Sequence, residues 1–132
     1  MDFTAKLKIP HTPSAIGVET EQVAFEYLLS NGLSPLDRNF NTPRGEIDII
    51  MRDDTQLVFV EVRFRQSEYF GGAEASITRQ KYLRMTAAAQ AYMQLHKTTN
   101  ALSARFDLIG MRRSKNDPSG YQLNWIKNIT VN

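Results

Sequence analysis

The sequence predicts an α/β domain built in the order α-β-β-β-α-β-β, with a mixed central sheet of about five strands flanked by helices. Three observations carry this. The chain has 132 residues, 42% of them hydrophobic, enough for one core of ordinary size. Two long stretches repeat apolar residues at helical spacing, and five short ones alternate or run apolar in the manner of strands.

Residues 1 to 13 contain Pro10 and Pro13, show no apolar period, and read as a flexible arm before a single domain over 14 to 132. A helix follows from about Ser14 to Ser30, with Gly32 placed to end it and Ala24, Phe25, Leu28 and Leu29 as its apolar face. Glu21 stands three residues before Ala24 and seven before Leu28, at the edge of that face. Leu33 to Phe40 reads as a strand that Pro35 confines to an edge or an early position. After the turn at 41 to 45, Glu46 to Arg52 alternates: Ile47, Ile49 and Met51 one way, Glu46, Asp48 and Ile50 the other. From Leu57 to Arg65, Val58, Val60, Val62 and Phe64 share a face opposite Phe59, Glu61, Arg63 and Arg65. The two strands form a hairpin turning at Asp53-Asp54. A loop over 66 to 76, with Gly71-Gly72, leads to a helix over 77 to 96 packed through Tyr82, Met85, Ala89, Tyr92, Met93 and His96. Strands over about 105 to 111 and 121 to 127 close the domain across a basic, turn-rich connector.

Composition narrows the chemistry. The absence of cysteine removes disulfides, thiolate zinc sites and cysteine nucleophiles, so any metal must be held mainly by oxygen. No apolar run is long enough to span a membrane, and the first residues lack the apolar block of a signal peptide, so a soluble cytoplasmic protein is expected. Sixteen Lys and Arg against fourteen Asp and Glu leave a net charge of only +2. If Glu21, Glu46, Asp48 and Glu61 cluster, the remaining surface is clearly cationic and suits a polyanion; a mixed, solvated surface fits the same count.

The stretch GEIDIIMRDDTQLVFVEVRFR is the informative one. A two-residue loop at Asp53-Asp54 sets Glu46 opposite Glu61, with Asp48 on the diagonal, and any even loop keeps all three on one face. Acids so placed repel and raise a pKa. A divalent ion reverses that: Mg²⁺ or Mn²⁺ prefers oxygen ligands and keeps waters that a phosphate can replace, and Asp48 and Glu61 are the natural pair. The competing reading is a solvent-facing polar row neutralised by Arg63 and Arg65.

Asp48 followed by Glu61-Val62-Arg63 resembles the PD-(D/E)xK nuclease signature, with Arg63 at the lysine position and Ile47 where the proline would be. Five ordered segments resemble the YraN-like family of small bacterial proteins: Glu21, Ala24, Leu28 and Gly32; Gly45-Glu46-Ile47-Asp48; Val58 through Arg63; Phe70-Gly71-Gly72-Ala73 through Lys81; and Arg105-Phe106-Asp107. That resemblance spans about residues 16 to 127. It implies a restriction-endonuclease-like fold, a likeness to archaeal Holliday-junction resolvases, and a metal-dependent endonuclease acting on DNA, including branched intermediates of recombination or repair. It also implies Asp48 and Glu61 as metal ligands, Glu21 as an added ligand or water-positioning group, Arg63 beside the developing phosphorane charge, and a homodimer.

Arginine stays charged and cannot act as a general base, so Arg63 suits phosphate or transition-state charge instead. Lys81 could supply an ammonium from the second helix, or be solvated there. Glu46 reads as a further metal ligand, a second carboxylate behind the pair, or a partner of Arg44 or Arg63. Arg44, Arg65, Arg79 and Lys81 are the candidate nucleic-acid contacts; Arg79, Lys81 and Arg84 oppose the helix dipole, which a nearby anion would explain. Gly71-Gly72 could approach a phosphate or shape a turn, and Tyr69, Phe70 and Trp125 could stack on bases or pack. The basic turn of Arg112, Arg113 and Lys115 could touch phosphates or be solvated. Asp107 could pair with Arg105 or join the acids. His11 and His96 suit neither catalysis nor zinc. A binding or recruiting module that has lost hydrolysis, through Arg63, is the alternative function.

Overall fold

The computed structural model describes residues 13–66, 77–97 and 102–130, and seven elements follow among them: α1 Pro13–Ser30, β1 Ser34–Thr42, β2 Gly45–Asp53, β3 Gln56–Phe64, α2 Arg79–Leu95, β4 Ser103–Arg113 and β5 Tyr121–Ile126. This is the expected α-β-β-β-α-β-β order. The strands form one five-stranded sheet whose spatial order equals the chain order. β1, β2 and β3 pair antiparallel, as do β4 and β5, while β3 and β4 run parallel because the chain returns through α2. Residues 1–12 of the expected arm, with His11, and the loop residues Tyr69, Phe70, Gly71 and Gly72 lie outside the described residues. No helix among the described residues is long and apolar enough to cross a membrane.

α1 stops in a Schellman arrangement: the Gly32 N–H donates to Leu29 O at 3.1 Å and the Leu33 N–H to Leu28 O at 3.2 Å, with Gly32 at φ +90 where a side chain would be strained. Leu33 is then delivered into the core. The helix buries Thr20, Ala24 and Leu28, one face at four-residue spacing, and Leu29 is on the exposed side rather than the packed one. α2 starts at the Thr78 N-cap, whose hydroxyl accepts the Lys81 N–H at 3.0 Å. Ile77 before the cap and Tyr82 one turn in join one apolar cluster with Leu108 and Ile129, at the two positions a hydrophobic staple uses.

The sheet separates two apolar layers. Ala24 and Leu28 of α1 cover Ile49, Met51, Val58, Val60 and Ile109. On the other side Met85, Ala88, Ala89 and Tyr92 of α2 cover Ile47, Ile50, Leu57 and Phe59. Each fully buried aliphatic side chain stabilises by roughly 1.5–3 kcal/mol.

The expected alternation of β2 fails at one point. Ile49 and Met51 face α1, but Ile47 packs with Ile50 on the α2 side. β1 breaks beside it: Arg38 lies over Phe25 of α1, whereas Phe40, two residues on, meets the Tyr92 ring of α2 edge to face. Arg38 pairs with Ile49 and Phe40 with Ile47, so the breaks lie alongside one another. Between them stand Asn39, at φ 51, and Asp48. β2 also stops pairing with β3 at Ile49 opposite Val60. The sheet therefore splays at Asp48, and the site is built there.

Candidate functional site

The hairpin loop is Asp54-Thr55 rather than Asp53-Asp54, since Asp53 pairs with Gln56 and Arg52 with Leu57. This register sets Met51 against Val58 and Ile50 against Phe59, apolar against apolar, where the expected one would have set Met51 against Gln56. Asp54 takes the left-handed conformation the tight loop requires, at φ 53, which Asp tolerates. The loop is still two residues long. Continued inward, the register brings Asp48, not Glu46, opposite Glu61.

Where β2 leaves β3, the Val62 N–H loses its ladder partner. It donates instead to Asp48 Oδ2 at 2.9 Å. The Asp48 carboxylate is thereby fixed between the strands, within reach of Glu61 from β3 and Glu21 from α1.

Glu61 is 3% exposed. Burial, then the Asp48 charge, pushes its carboxyl up to about 8, and the attraction of Lys81 and Arg63 does not offset this. Protonated, Glu61 can donate to Asp48; ionised, its Oε1 has no hydrogen-bond partner among the described residues. Its Oε2 lies 3.2 Å from Arg63 Nε, without hydrogen-bond alignment, and 3.6 Å from Lys81 Nζ. Charge is attracted there but not neutralised.

Lys81 lies on the first turn of α2, with its side chain mostly covered, and bridges Glu61 to Glu46, whose Oε1 is 3.3 Å from the ammonium. Arg84 Nη2 stands 3.7 Å from the other oxygen of Glu46. Glu46 is thus engaged by α2 rather than by Arg44 or Arg63. The approach of helix to strand depends on Gly45, where a Cβ would fall 2.7 Å from the Arg84 carbonyl carbon and closer still to its oxygen. No side chain fits there.

Glu21 reaches the cleft from the α1 side, its carboxyl raised above the usual range by burial and by Asp48, against the pull of Arg38 and a hydrogen bond with Asn39. The structure therefore gathers Glu21, Asp48, Glu61, Arg63 and Lys81, with Glu46 adjoining through Lys81. Arg38 and Asn39 were not expected in the site. The polar run Asp37-Arg38-Asn39 inside a strand was their one trace in the sequence.

The other candidates sit apart. Arg44 is exposed at the β1–β2 turn, where Thr42 Oγ1 accepts from the Arg44 and Gly45 N–H groups. Arg79 is exposed at the start of α2, and Arg65 donates to Phe64 O at 2.8 Å. Asp107 does not join the acids. It is fully buried on β4, where Arg105 at 3.0 Å, Trp125 Nε1 at 2.9 Å and the Asn128 N–H at 2.9 Å surround its carboxylate. Trp125 is held there with its ring edge on to Tyr27, so it packs.

Among the described residues, no three His, Asp or Glu side chains converge on one metal-binding point. Two carboxylates do meet. Asp48 is oriented by the backbone, and Glu61 presents a buried oxygen lacking a donor. That donor set fits a hard divalent ion held by two carboxylates and completed by water or phosphate. Glu21 flanks it.

The sequence pattern of the Uncharacterised protein family UPF0102 matches residues 20–111. A UPF0102 protein of Saccharophagus degradans is 41% identical over 117 residues, covering 88% of this chain and 93% of its own. Others from Vibrio parahaemolyticus and Aeromonas hydrophila are 38% identical over 113 residues and 42% over 120, covering 86% and 90% of this chain and 89% and 86% of theirs.

Proposed function

The chain belongs to the uncharacterised protein family UPF0102, the YraN-like family its motifs resemble, and from that membership and the hairpin geometry we propose a Mg²⁺- or Mn²⁺-dependent endonuclease hydrolysing DNA phosphodiesters. Its substrates are branched intermediates of recombination or repair in the cytoplasm. The observation that carries the reading is the meeting of Asp48 with the buried Glu61 at the splay of β2 and β3, with Arg63 and Lys81 against Glu61.

The metal supplies Lewis acidity toward a phosphoryl oxygen and an acidified water. Asp48 and Glu61 hold it, and the backbone bond from Val62 keeps Asp48 from turning away. Lys81 and Arg63 sit where they can draw a phosphate toward the carboxylates and stabilise charge developing on it. Glu21, above its usual pKa and on the other side of Asp48, positions water. Arg44, Arg65 and Arg79 contribute charge to a bound backbone.

The test is cleavage of labelled duplex, flapped, four-way-junction and single-stranded DNA with Mg²⁺ or Mn²⁺, by wild type and Glu61→Gln. Cutting that the variant loses supports the reading; no cutting of any substrate overturns it. A second reading, a silent binding module, draws on the two cations already beside Glu61. It expects salt-sensitive DNA binding that survives Asp48→Asn and falls on neutralising Arg63, Arg65 and Arg79. Light scattering tests the homodimer that the family likeness implies.

A further inference from the structure

Arg38 is a well-oriented cation with no ion-pair partner among the described residues. Its guanidinium carbon lies 4.5 Å from the centre of the Phe25 ring, and Nη1 donates to Gln22 Oε1 at 2.8 Å. Nε is buried and has no acceptor among the described residues, and none of their carboxylates lies within ion-pair distance. A buried N–H without a partner costs about 1–3 kcal/mol, and a neutral amide does not balance the charge. Yet the stacking and the bond to Gln22 fix the planar fork in advance, the condition in which arginine recognises phosphate best.

The place of Arg38 is as telling as its state. It pairs with Ile49, the residue after Asp48, and precedes the left-handed Asn39 that turns β1. Its charge is felt by Glu21, which in turn feels Asp48. Arg63 and Lys81 stand against Glu61 from β3 and α2, whereas Arg38 stands on β1 against α1, linked to the acids through Glu21. A nucleic-acid strand carries one phosphate per nucleotide, so a strand lying over the pair presents further phosphates on either side of the one at the carboxylates.

We propose that Arg38 is a substrate-positioning residue that takes, through its fixed guanidinium, the backbone phosphate neighbouring the one seated at Asp48 and Glu61. It thereby sets which phosphodiester lies over the acids. The inference deepens the nuclease reading and rests on its nucleic-acid-binding part.

The experiment is equilibrium binding of labelled duplex DNA across a salt series in chelator, where nothing is cut, with wild type, Arg38→Gln and Arg38→Lys. The expected result is a log–log salt slope shallower by about 0.9 in Arg38→Gln, so that it loses roughly threefold less affinity than wild type between about 50 and 200 mM salt. Arg38→Lys keeps the wild-type slope. An unchanged slope in folded Arg38→Gln overturns the inference and leaves the acid pair's role standing; wild type that binds no DNA overturns both. If Arg38→Gln does not fold, methylphosphonates placed one at a time along the DNA serve with wild type and Arg38→Lys. One position at which neutralisation costs wild type more than the lysine variant supports the contact, and equal losses at every position overturn it.

Discussion

Asp48 Oδ2 accepts the Val62 backbone N–H at 2.9 Å, so a side chain takes over the β2–β3 ladder where the β2 backbone abandons it. The carboxylate is structural through one oxygen and available through the other. Asp48→Ala is expected to cost about 1–3 kcal/mol, because it orphans that N–H, and Asp48→Asn less, because its amide oxygen still accepts. Urea denaturation separates the two. Both variants lose Mn²⁺ binding by calorimetry, and retained affinity in both would remove Asp48 from the metal site.

Glu61 makes stability depend on pH in chelator. Its ordinary pKa of 4.5 applies unfolded and about 8 applies folded. Between these values the native state keeps a proton that the unfolded chain has released, so its contribution is complete below pH 4.5 and is lost as pH rises through 8. Glu61→Gln is expected to flatten this slope and to be the more stable protein at pH 9, by a few kcal/mol. Melting temperatures of both proteins from pH 5 to 9 check it; parallel profiles would contradict the raised value.

Gly45 is the point at which β2 touches the α2 backbone. Gly45→Ala forces strand and helix apart, with an expected loss of at least the 1–3 kcal/mol typical of overpacking. Chemical denaturation gives the loss. The same variant, if folded, shows weaker coupling between Glu46 and Lys81 in a double-mutant cycle.

Asp107 collects three donors from two strands and the segment after β5. Asp107→Ala leaves Arg105 only Asp53, Gln56 and solvent, and is expected to cost about 3–5 kcal/mol, as for a broken buried pair. Hydrogen exchange should show lost protection at Asn128 and Ile129. Unlike Asp48→Asn, it leaves Mn²⁺ affinity unchanged while the protein is folded.

The elements were legible because their signals are local: helical spacing about Ala24 and Leu28, the stop at Gly32, and alternation through β3. Asp48 and Glu61 were legible as a pair because strand parity survives a small error in the loop. The loop position itself was not, since Asp53-Asp54 and Asp54-Thr55 are similar turn sequences and packing of Met51 against Val58 decides between them. The break in β2 was hidden as well. Nothing in Ile47-Asp48-Ile49 marks it; it arises from β1 and β2 turning together beside Asn39. Arg38 escaped notice because its significance lies in having no carboxylate at ion-pair distance among the described residues, and partnering is a tertiary property. Asp107 reads like the other acids until its three donors are seen.

The strands lie across the sheet in the order in which the chain makes them. β1, β2 and β3 close through two-residue turns, whereas β4 can join β3 only after the chain has passed through α2. Short closures are cheap and early, and long ones late. On that order Asp48 and Glu61 are expected to meet first as hydrated neighbours in the β1–β2–β3 meander, and to be dehydrated when α2 brings Lys81 against them. If α2 docks after the folding barrier, the charge conflict at the centre of the molecule is postponed past it, and Glu61→Gln is expected to slow unfolding more than it hastens folding, which stopped-flow kinetics in denaturant would read.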